Sequence, residues 1–287
     1  MTSSSSWPAL FGAPTVQTRL SIARPPSPPT EDSDVLVLSS RSTLHDSSTV
    51  GSSVLYLDLR LFLPVTKSAS INWAFAGLRE TIPLLEEQAE AVRYRWEHTI
   101  DSHGSGEPPD EGTMVKRIEE NGEEVEVETG VGLNPETGKM GPYEEVWKEQ
   151  NIPPGTPFAF LMSDPNPRES TRFLAVLGPH AMGLSQGEGE DGRLSAIQSG
   201  ESGTFHAVRL RTGKPEGLLG KMPLLIYETV FSTGCRSLDD QLRALLTALT
   251  AREREGKEPW QRGESIVLME GREGKPWTWV VWDAGYA

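Results

Sequence analysis

The stretch Leu55-Tyr56-Leu57-Asp58-Leu59-Arg60-Leu61-Phe62-Leu63 carries the clearest periodic signal in the chain and decides the predicted fold. Every odd position in it is leucine, and the positions between are aromatic or charged. Side chains of a β-strand alternate between two faces, whereas a helix would spread these leucines around its circumference. The stretch therefore predicts a strand that is buried on its leucine face.

A β-hairpin is predicted further along the chain, where Met114–Glu120 and Glu123–Thr129 flank Asn121-Gly122. Asn-Gly is a strong hairpin signal because a tight type I′ turn needs positive φ at both central residues. In the second arm we expect the two valines to face inward. These valines are Val125 and Val127. The alternating glutamates are expected to face water, and they are Glu124, Glu126 and Glu128.

One amphipathic helix is predicted over residues 237–255. Ser237 is the expected N-cap, with Asp240 as its partner in a capping box. The helix is expected to end before Gly256 and Pro259. One face of this helix carries an apolar stripe, which consists of Leu238, Leu242, Leu245, Leu246 and Leu249. We expect this stripe to pack on a sheet or to close the mouth of a barrel.

Many short strands, the turn signals between them and one helix predict an all-β fold with two halves. The break at Asp164-Pro165-Asn166-Pro167 divides the chain into an N-terminal domain, 1–163, and a C-terminal domain, 164–287. Residues 24–34 are rich in proline and acid, and residues 39–53 are rich in serine. We expect a mobile insertion over 24–53, because such segments bury too little apolar surface to pack. A short strand, Val35–Leu38, is expected between the two polar segments.

Charge and cysteine usage exclude several classes of function. The net charge is −14, and the segment 101–150 holds fourteen acidic residues against four basic ones. This segment would repel phosphate, so binding to nucleic acid or an anionic membrane is not expected. It is either a solvated face or a docking surface for a basic partner. The chain has a single cysteine, and it shows neither a signal-peptide pattern nor a long apolar run. We therefore expect a cytosolic or nuclear protein.

Two catalytic or cofactor signatures occur in one glycine-rich tract and are set aside. Gly183-Leu184-Ser185-Gln186-Gly187 matches the nucleophile elbow of serine hydrolases, but the acidic, glycine-rich residues after it do not favour the required helix. The spacing Gly187-x-Gly189-x-x-Gly192 matches a dinucleotide fingerprint, but its acids would repel a pyrophosphate. The five histidines show no recognised metal spacing, so we expect no metal site and no cofactor.

The segment Asn72-Trp73-Ala74-Phe75-Ala76-Gly77 resembles the fungal HRI-one family, whose members interact with a kinase of the casein-kinase-one type. Glu144–Trp147, Val176–Gly178 with Gly183–Gln186, and Trp277–Asp283 also resemble family segments, in the same order along the chain. The resemblance implies two tandem lipocalin-like β-barrel domains, residence in cytoplasm and nucleus, and no established activity. It implies no catalytic or binding residue.

Aromatic residues on the predicted strands are the candidates for a ligand cavity. Inward-facing rings in a small barrel either fill the interior or line a cavity for one small ligand. Filling is the simpler interpretation, because eight-stranded barrels are just wide enough for side chains to close them. If a cavity exists, its walls are expected at Trp73, Phe75, Tyr94, Trp96, Trp147, Trp277 and Trp279.

These observations lead to three hypotheses. The first is a non-enzymatic interaction protein that binds the kinase, with phosphorylation at Ser27, Thr30 or Ser33 in the mobile segment. The second is a carrier of a small apolar ligand inside a barrel. The third, which the motif context disfavours, is a serine hydrolase acting through Ser185.

Overall fold

The computed structural model describes residues 7–43, 52–67, 69–82, 91–104, 109–134, 137–163, 170–187, 204–212, 226–269 and 276–287. These ranges contain seventeen strands and one helix, which confirms a mostly β fold. In chain order they are β1 (Leu10–Phe11), β2 (Thr15–Ala23), β3 (Ser33–Ser39), β4 (Ser42–Thr43), β5 (Ser53–Phe62), β6 (Ile71–Ile82), β7 (Val92–Asp101), β8 (Asp110–Ile118), β9 (Glu124–Asn134), β10 (Lys139–Glu149), β11 (Pro157–Ser163), β12 (Thr171–Leu177), β13 (His180–Gly187), β14 (Thr204–Thr212), β15 (Tyr227–Ser232), α1 (Arg236–Arg254), β16 (Ser265–Met269) and β17 (Pro276–Tyr286).

The first half of the chain forms a closed antiparallel barrel of eight strands in the order β10-β2-β3-β5-β6-β7-β8-β9. Strand β10 closes it by pairing with both β9 and β2. The predicted hairpin is confirmed: β8 pairs with β9, and Gly122 in the connection has a φ of 82°. Left-handed backbone of this kind favours glycine, because glycine has no Cβ to clash with the peptide.

The second half forms a seven-stranded antiparallel sheet in the order β15-β14-β13-β12-β11-β17-β16. Within the described strands its two outer members, β15 and β16, each pair with one neighbour, so the expected second barrel is corrected to an open sheet. Helix α1 packs on one face of the sheet and the barrel packs on the other. Because both faces are buried in this way, the sheet does not need to close on itself to form a core.

The leucine stretch forms β5, as predicted, and Leu55, Leu57, Leu59 and Leu61 are each at most 1% exposed. The last leucine of the stretch, Leu63, follows the strand and is 52% exposed, so the predicted buried face ends at Leu61. The four buried leucines point out of the barrel, where they share a hydrophobic core with Phe158 and other residues of the sheet. Burying each leucine contributes roughly 1.5–3 kcal/mol. The leucine face therefore holds the barrel against the sheet.

The alternate face of β5 points into the barrel and is polar. Asp58 lies opposite Val37 of β3 and Phe75 of β6, and side chains of directly opposed residues project to the same face. The interior face of the barrel consequently carries Tyr56, Asp58 and Arg60, all of which are buried. A charged interior is the main departure from the sequence expectation.

In strand β9 the two valines are buried, at 1% exposed for Val125 and 4% for Val127, but the expectation that Glu128 faces water is wrong. Glu128 lies opposite Met114 and Glu145 on the interior face and is 7% exposed. Val127 lies opposite Val115 and Val146 on the outer face. Inside the barrel the Glu128 carboxyl accepts a hydrogen bond from Tyr143 Oη, which gives this buried polar group a partner.

Two further expectations about local structure are corrected. The described part of the predicted insertion, residues 24–43, carries β3 and β4 and buries Ser39 and Ser40, so it is not a mobile segment as a whole. Residues 44–51 lie outside the described ranges. Helix α1 begins at Arg236 after Cys235, so Ser237 lies in the first turn and is not the N-cap.

Strand β11 links the two halves and bears on the predicted domain division. The division at residue 163 assigned β11 to the N-terminal domain, but β11 pairs with β12 and β17 of the second sheet. The break at 164–167 lies outside the described ranges. One hydrophobic cluster contains residues of both halves, so independent domains stay a prediction. No helix in the described ranges is long and apolar enough to span a membrane.

Candidate functional site

The interior of the barrel is organised around Arg60. Its guanidinium lies 2.8 Å from the Asp58 carboxylate and 3.5 Å from that of Glu145. Burial alone would lower the pKa of Arg60, but the charges of Asp58 and Glu145 outweigh it and raise the pKa. Arg60 is therefore a permanent buried cation, and the acids around it compensate its charge.

A second arginine extends this network toward one end of the barrel. Arg19 donates to Glu145 at 2.5 Å and to Glu31 at 2.7 Å. Its side chain is 4% exposed, and those of Glu145 and Glu31 are 6% and 16% exposed. Charge-assisted hydrogen bonds in such an environment fix both geometry and register. The network thus connects β2, β5 and β10 through the centre of the barrel.

Three of the predicted cavity residues surround the Arg60 side chain. Its guanidinium carbon lies 4.9 Å from the ring centre of Trp73, 5.3 Å from that of Phe75 and 5.9 Å from that of Trp147. Rings in this arrangement attract a cation through their negatively charged faces. The aromatic residues do meet inside the barrel, as predicted, but the protein's own arginine occupies the space between them.

The family-like segment also builds a hydrogen-bond centre at Asp101. Its carboxylate accepts from Trp73 Nε1 at 2.8 Å, from the His103 backbone N–H at 2.8 Å and from His98 Nδ1 at 2.6 Å. Burial would raise the pKa of Asp101, but these hydrogen bonds outweigh it and lower the pKa. Gln186 of β13 binds both backbone groups of Asp101, at 2.8 and 2.9 Å. Trp73 is therefore tied to the contact between barrel and sheet.

A buried carboxyl without a cationic hydrogen-bond partner among the described residues lies beside this network. Glu128 accepts a hydrogen bond from Tyr143 Oη at 2.7 Å and lies opposite Glu145. Burial, and then the charge of Glu145, raise the pKa of Glu128 to about 8. The raised pKa favours the protonated form of Glu128, which relieves repulsion between the two carboxyl groups.

The remaining barrel aromatics lie closer to solvent. Tyr94 and Trp96 are half-buried on β7, with their ring centres 5.8 Å apart. The guanidinium of Arg79 covers the Tyr94 ring at 4.4 Å. The Tyr94 ring is thus covered by an arginine of the protein, and Trp96 contacts the Tyr94 ring edge to face.

The two C-terminal candidates lie outside any barrel, which corrects their predicted position. Trp279 is fully buried in the core that α1 forms with the sheet, together with Leu238 and Leu242. Trp277 stacks on the Arg172 guanidinium at 3.8 Å. Both tryptophans lie on the helix-covered face because β17 alternates like any strand.

Ser185 lies in a regular strand and not at a nucleophile elbow. It occupies β13, directly opposite Arg172 of β12 and His206 of β14 in an antiparallel sheet. An elbow requires a sharp turn between a strand of a parallel sheet and a helix. The geometry that would activate Ser185 in a hydrolase is therefore missing from the sheet. Ser185 instead lines a small cleft.

The predicted phosphorylation sites differ in accessibility. Ser27 and Thr30 are exposed, and the Thr30 backbone forms a bridge with Ile22 through hydrogen bonds of 2.8 and 2.9 Å. Ser33 is 3% exposed on β3, and its hydroxyl bonds to Asp32. Ser33 is therefore less accessible than the other two positions, and phosphorylation at these three residues stays a prediction.

Sequence reasoning missed an apolar stripe on the outside of the barrel. Strand β9 projects Val131 and Leu133 outward, and Leu133 lies directly opposite Met140 of β10. These three side chains are 61–66% exposed, and Val115 of β8 is 38% exposed on the same face. We call Val115, Val131, Leu133 and Met140 the outer stripe. The alternation in β9 could have revealed it, had the glutamates been assigned to the interior.

Comparison with known proteins identifies the family. A family model described as Protein HRI1 matches residues 15–224, which is well over half of the chain. The chain belongs to this family. A solved structure of an uncharacterized protein from Saccharomyces cerevisiae is similar, with a TM-score of 0.59, over 96% of this chain and all of that chain. At 14% identity this shows a shared fold. No protein with a curated description matches the sequence.

Family membership confirms the resemblance of the Trp73–Gly77 segment, and the structure gives that segment a physical role. Trp73 and Phe75 enclose Arg60, while Gly77 lies where β6 and β7 shift register. A Cβ on Gly77 would lie 1.8 Å from the Glu97 carbonyl oxygen. Among the described residues, no group of three or more histidine, cysteine or acidic side chains could hold a metal ion.

Proposed function

We propose that this protein acts in cytoplasm and nucleus by binding another protein, and that it has no catalytic role. The observation that carries the proposal is the outer stripe. Leu133 and Met140 are opposed across two strands, with more than half of each side chain exposed. Contiguous apolar surface of this kind is costly in water and marks interaction sites on soluble proteins.

The surroundings of the outer stripe fit a protein interface. Val127 and Val146 lie opposite each other on the same outer face and form a small buried apolar cluster with Val125. At one end Arg117 pairs with Glu119 at 2.7 Å and lies 3.8 Å from Glu144. An apolar centre with a polar rim is the usual anatomy of a protein–protein contact.

The barrel interior supports this proposal over an apolar-ligand carrier. An apolar ligand between Trp73, Phe75 and Trp147 would have to displace Arg60. Displacement would take the guanidinium away from the buried Asp58 carboxylate, which costs several kcal/mol. We therefore assign recognition to the outer surface and a structural role to the interior.

The partner that we propose is a kinase of the casein-kinase-one type, on the basis of the family resemblance. The test is a binding measurement between purified kinase and the intact protein, repeated with Leu133→Ser/Met140→Ser. We expect this double variant to weaken binding about tenfold or more, as loss of a central apolar contact does.

A matched control uses a second exposed apolar pair on the far sheet. Val267 and Met269 of β16 are 58% and 51% exposed, so Val267→Ser/Met269→Ser removes similar surface elsewhere. This control is expected to bind the kinase like the unmodified protein. Equal binding by both double variants would remove the outer stripe as the interface, and no binding by the unmodified protein would remove the kinase as the partner.

A further inference from the structure

His180 lies at the contact between the barrel and the second sheet. It is the first residue of β13 and is 2% exposed. Met182, two residues further along the strand, belongs to the hydrophobic core that the barrel and the sheet share. Side chains two residues apart on a strand project to the same face, so the His180 ring faces the barrel.

One nitrogen of the His180 ring is bound to the segment that joins the two halves. Nε2 donates a hydrogen bond to Gln150 Oε1 at 3.1 Å. Gln150 directly follows β10 of the barrel and precedes β11 of the sheet, and its backbone N–H donates to the Val16 carbonyl at 2.8 Å. The bond from His180 therefore ties the sheet to a residue that is itself anchored on the barrel.

The other nitrogen of the ring, Nδ1, is buried and has no hydrogen-bond partner among the described residues. A neutral imidazole has one N–H group and one accepting nitrogen, whereas a protonated imidazole has two N–H groups. Protonation in the closed contact would therefore bury a second N–H group without an acceptor, and such a group is costly. The hydrogen bonds around the ring thus favour its neutral form.

The charged groups that act on His180 favour the same form. They are Arg209 and Arg211 of β14 and Asp34 of β3. Arg209 is 6% exposed and pairs with Asp34 at 2.5 Å, so this carboxylate already has a cationic partner. Burial, followed by the charges of Arg209 and Arg211, lowers the pKa of His180 to about 4, and Asp34 opposes this shift only in part.

From the bond to Gln150, the unpartnered nitrogen and the two neighbouring arginines, we propose that His180 is a proton-sensitive latch between the barrel and the sheet. The neutral ring holds the contact closed, and protonation opens it because the charged ring is more stable in water than in the contact. Leu177 lies directly opposite His180 and belongs to the shared core, so release of the ring loosens that core locally. The latch is separate from the outer stripe and does not depend on the kinase as the partner.

The pH range of the latch follows from the lowered pKa. The pKa of His180 is about 4 in the closed contact and 6.5 in water, so the open form binds a proton more readily. The closed contact keeps its full stability above about pH 6.5 and loses it as the pH falls toward 4. Between pH 8 and pH 5 the equilibrium constant for opening should rise about thirtyfold.

Hydrogen exchange of backbone amides, followed by mass spectrometry of the intact protein's peptides, measures this opening. Protection in residues 150–156 and 177–182 is compared at pH 8 and pH 5, each relative to the exchange rate of an unstructured peptide at the same pH. We expect protection in these residues to fall about thirtyfold. Residues 240–250 of α1, which packs on the opposite face of the sheet, are the internal reference and should keep their protection.

A local measurement is needed because a second group titrates in global unfolding. Burial raises the pKa of Glu128 to about 8, so acid stabilises the fold through Glu128 while it opens the contact at His180. Glu128 lies inside the barrel and stays buried when only the His180 contact opens. Exchange near His180 therefore reports the latch without the effect of Glu128.

Two variants assign the effect to His180. His180→Gln keeps a donor for Gln150 but cannot take up a proton in this range, so its opening constant should be the same at pH 8 and pH 5. His103→Gln replaces an exposed histidine of the barrel and should show the same thirtyfold rise as the unmodified protein. Titration of the His180 ring by NMR in the unmodified protein gives a second test that needs no variant, and the ring should still be neutral at pH 5.

Three results would overturn the proposal. One is equal protection of residues 177–182 at pH 8 and pH 5. Another is a His180→Gln protein that opens in acid like the unmodified protein, or a His180 ring that titrates near pH 6.5 while the protein is folded. The third is an equal loss of protection in α1, which would indicate general unfolding in acid and no local latch.

Discussion

Replacement of Arg60 by methionine tests the interior network most severely. The substitution keeps most of the side-chain volume but removes the cation that lies 2.8 Å from Asp58 and 3.5 Å from Glu145. Asp58 would then be a buried carboxylate without its guanidinium, and burial already raises its pKa. Breaking a buried ion pair by removing one partner costs about 3–5 kcal/mol of unfolding free energy.

The lost contacts with aromatic rings add to this cost. Arg60 lies over Trp73, Phe75 and Trp147, and such interactions are worth about 0.5–2 kcal/mol when they are shielded from water. We therefore expect Arg60→Met to lower the unfolding free energy by about 4 kcal/mol. Addition of Asp58→Asn should recover part of the loss, because the double variant no longer buries that uncompensated charge.

Urea unfolding followed by tryptophan fluorescence measures the change directly, since Trp73 and Trp147 border Arg60. The control is Arg117→Met, which removes an exposed arginine that pairs with Glu119. Exposed pairs contribute about 0–1 kcal/mol, so the control should unfold almost like the unmodified protein. A loss below about 1 kcal/mol for Arg60→Met would refute the buried network.

Three further predictions follow from individual contacts. Glu128 has a pKa raised to about 8, so its contribution to stability is full below about pH 4.5 and is lost as the pH rises through 8. Glu128→Gln should therefore flatten the fall in unfolding temperature between about pH 6.5 and 8.5. An unchanged dependence of unfolding temperature on pH would contradict this prediction. Leu242→Ala on the buried face of α1 should cost about 2–5 kcal/mol in urea unfolding, whereas exposed Thr247→Ala should cost under about 0.5 kcal/mol. Gly77→Ala should destabilise by about 2 kcal/mol or more because its Cβ would meet the Glu97 carbonyl, while Gly141→Ala, which meets nothing within 4 Å, should be tolerated in the same thermal assay.

The sequence predicted those elements whose signal is local. The leucine alternation of β5, the Asn121-Gly122 hairpin and the stripe of α1 all appear where expected. The spacing of apolar residues determines the strand and the helix, and the positive φ that a tight turn requires determines the hairpin. These features depend on neighbouring residues and not on what packs against them.

The sequence could not show which strand face lies inside the barrel. The alternation of side chains separates the two faces of β5 but does not show which face lies inside the barrel. The polar face with Asp58 and Arg60 resembles a solvent-exposed face of a strand. The polar face lies inside the barrel because the second sheet covers the leucines from outside. The small cleft beside Ser185 was missed for the same reason, because Arg172, Ser185 and His206 meet only through strand pairing.

The end of α1 illustrates a different limit. Ser237 matches the usual N-cap residue type, but its hydroxyl accepts from Arg172 and the helix begins one residue earlier. A buried arginine that needs an acceptor competes with the cap for the same oxygen. Such competition between distant residues cannot be read from the sequence near the helix.

The central claim is that the barrel is filled by its own charged side chains and that recognition occurs on its outer surface. A crystal structure of the protein purified from its own host tests this most directly. We expect electron density for the Arg60 guanidinium between Asp58, Glu145 and the rings of Trp73 and Phe75. Density for a bound molecule among those rings, with Arg60 turned away, would contradict the account.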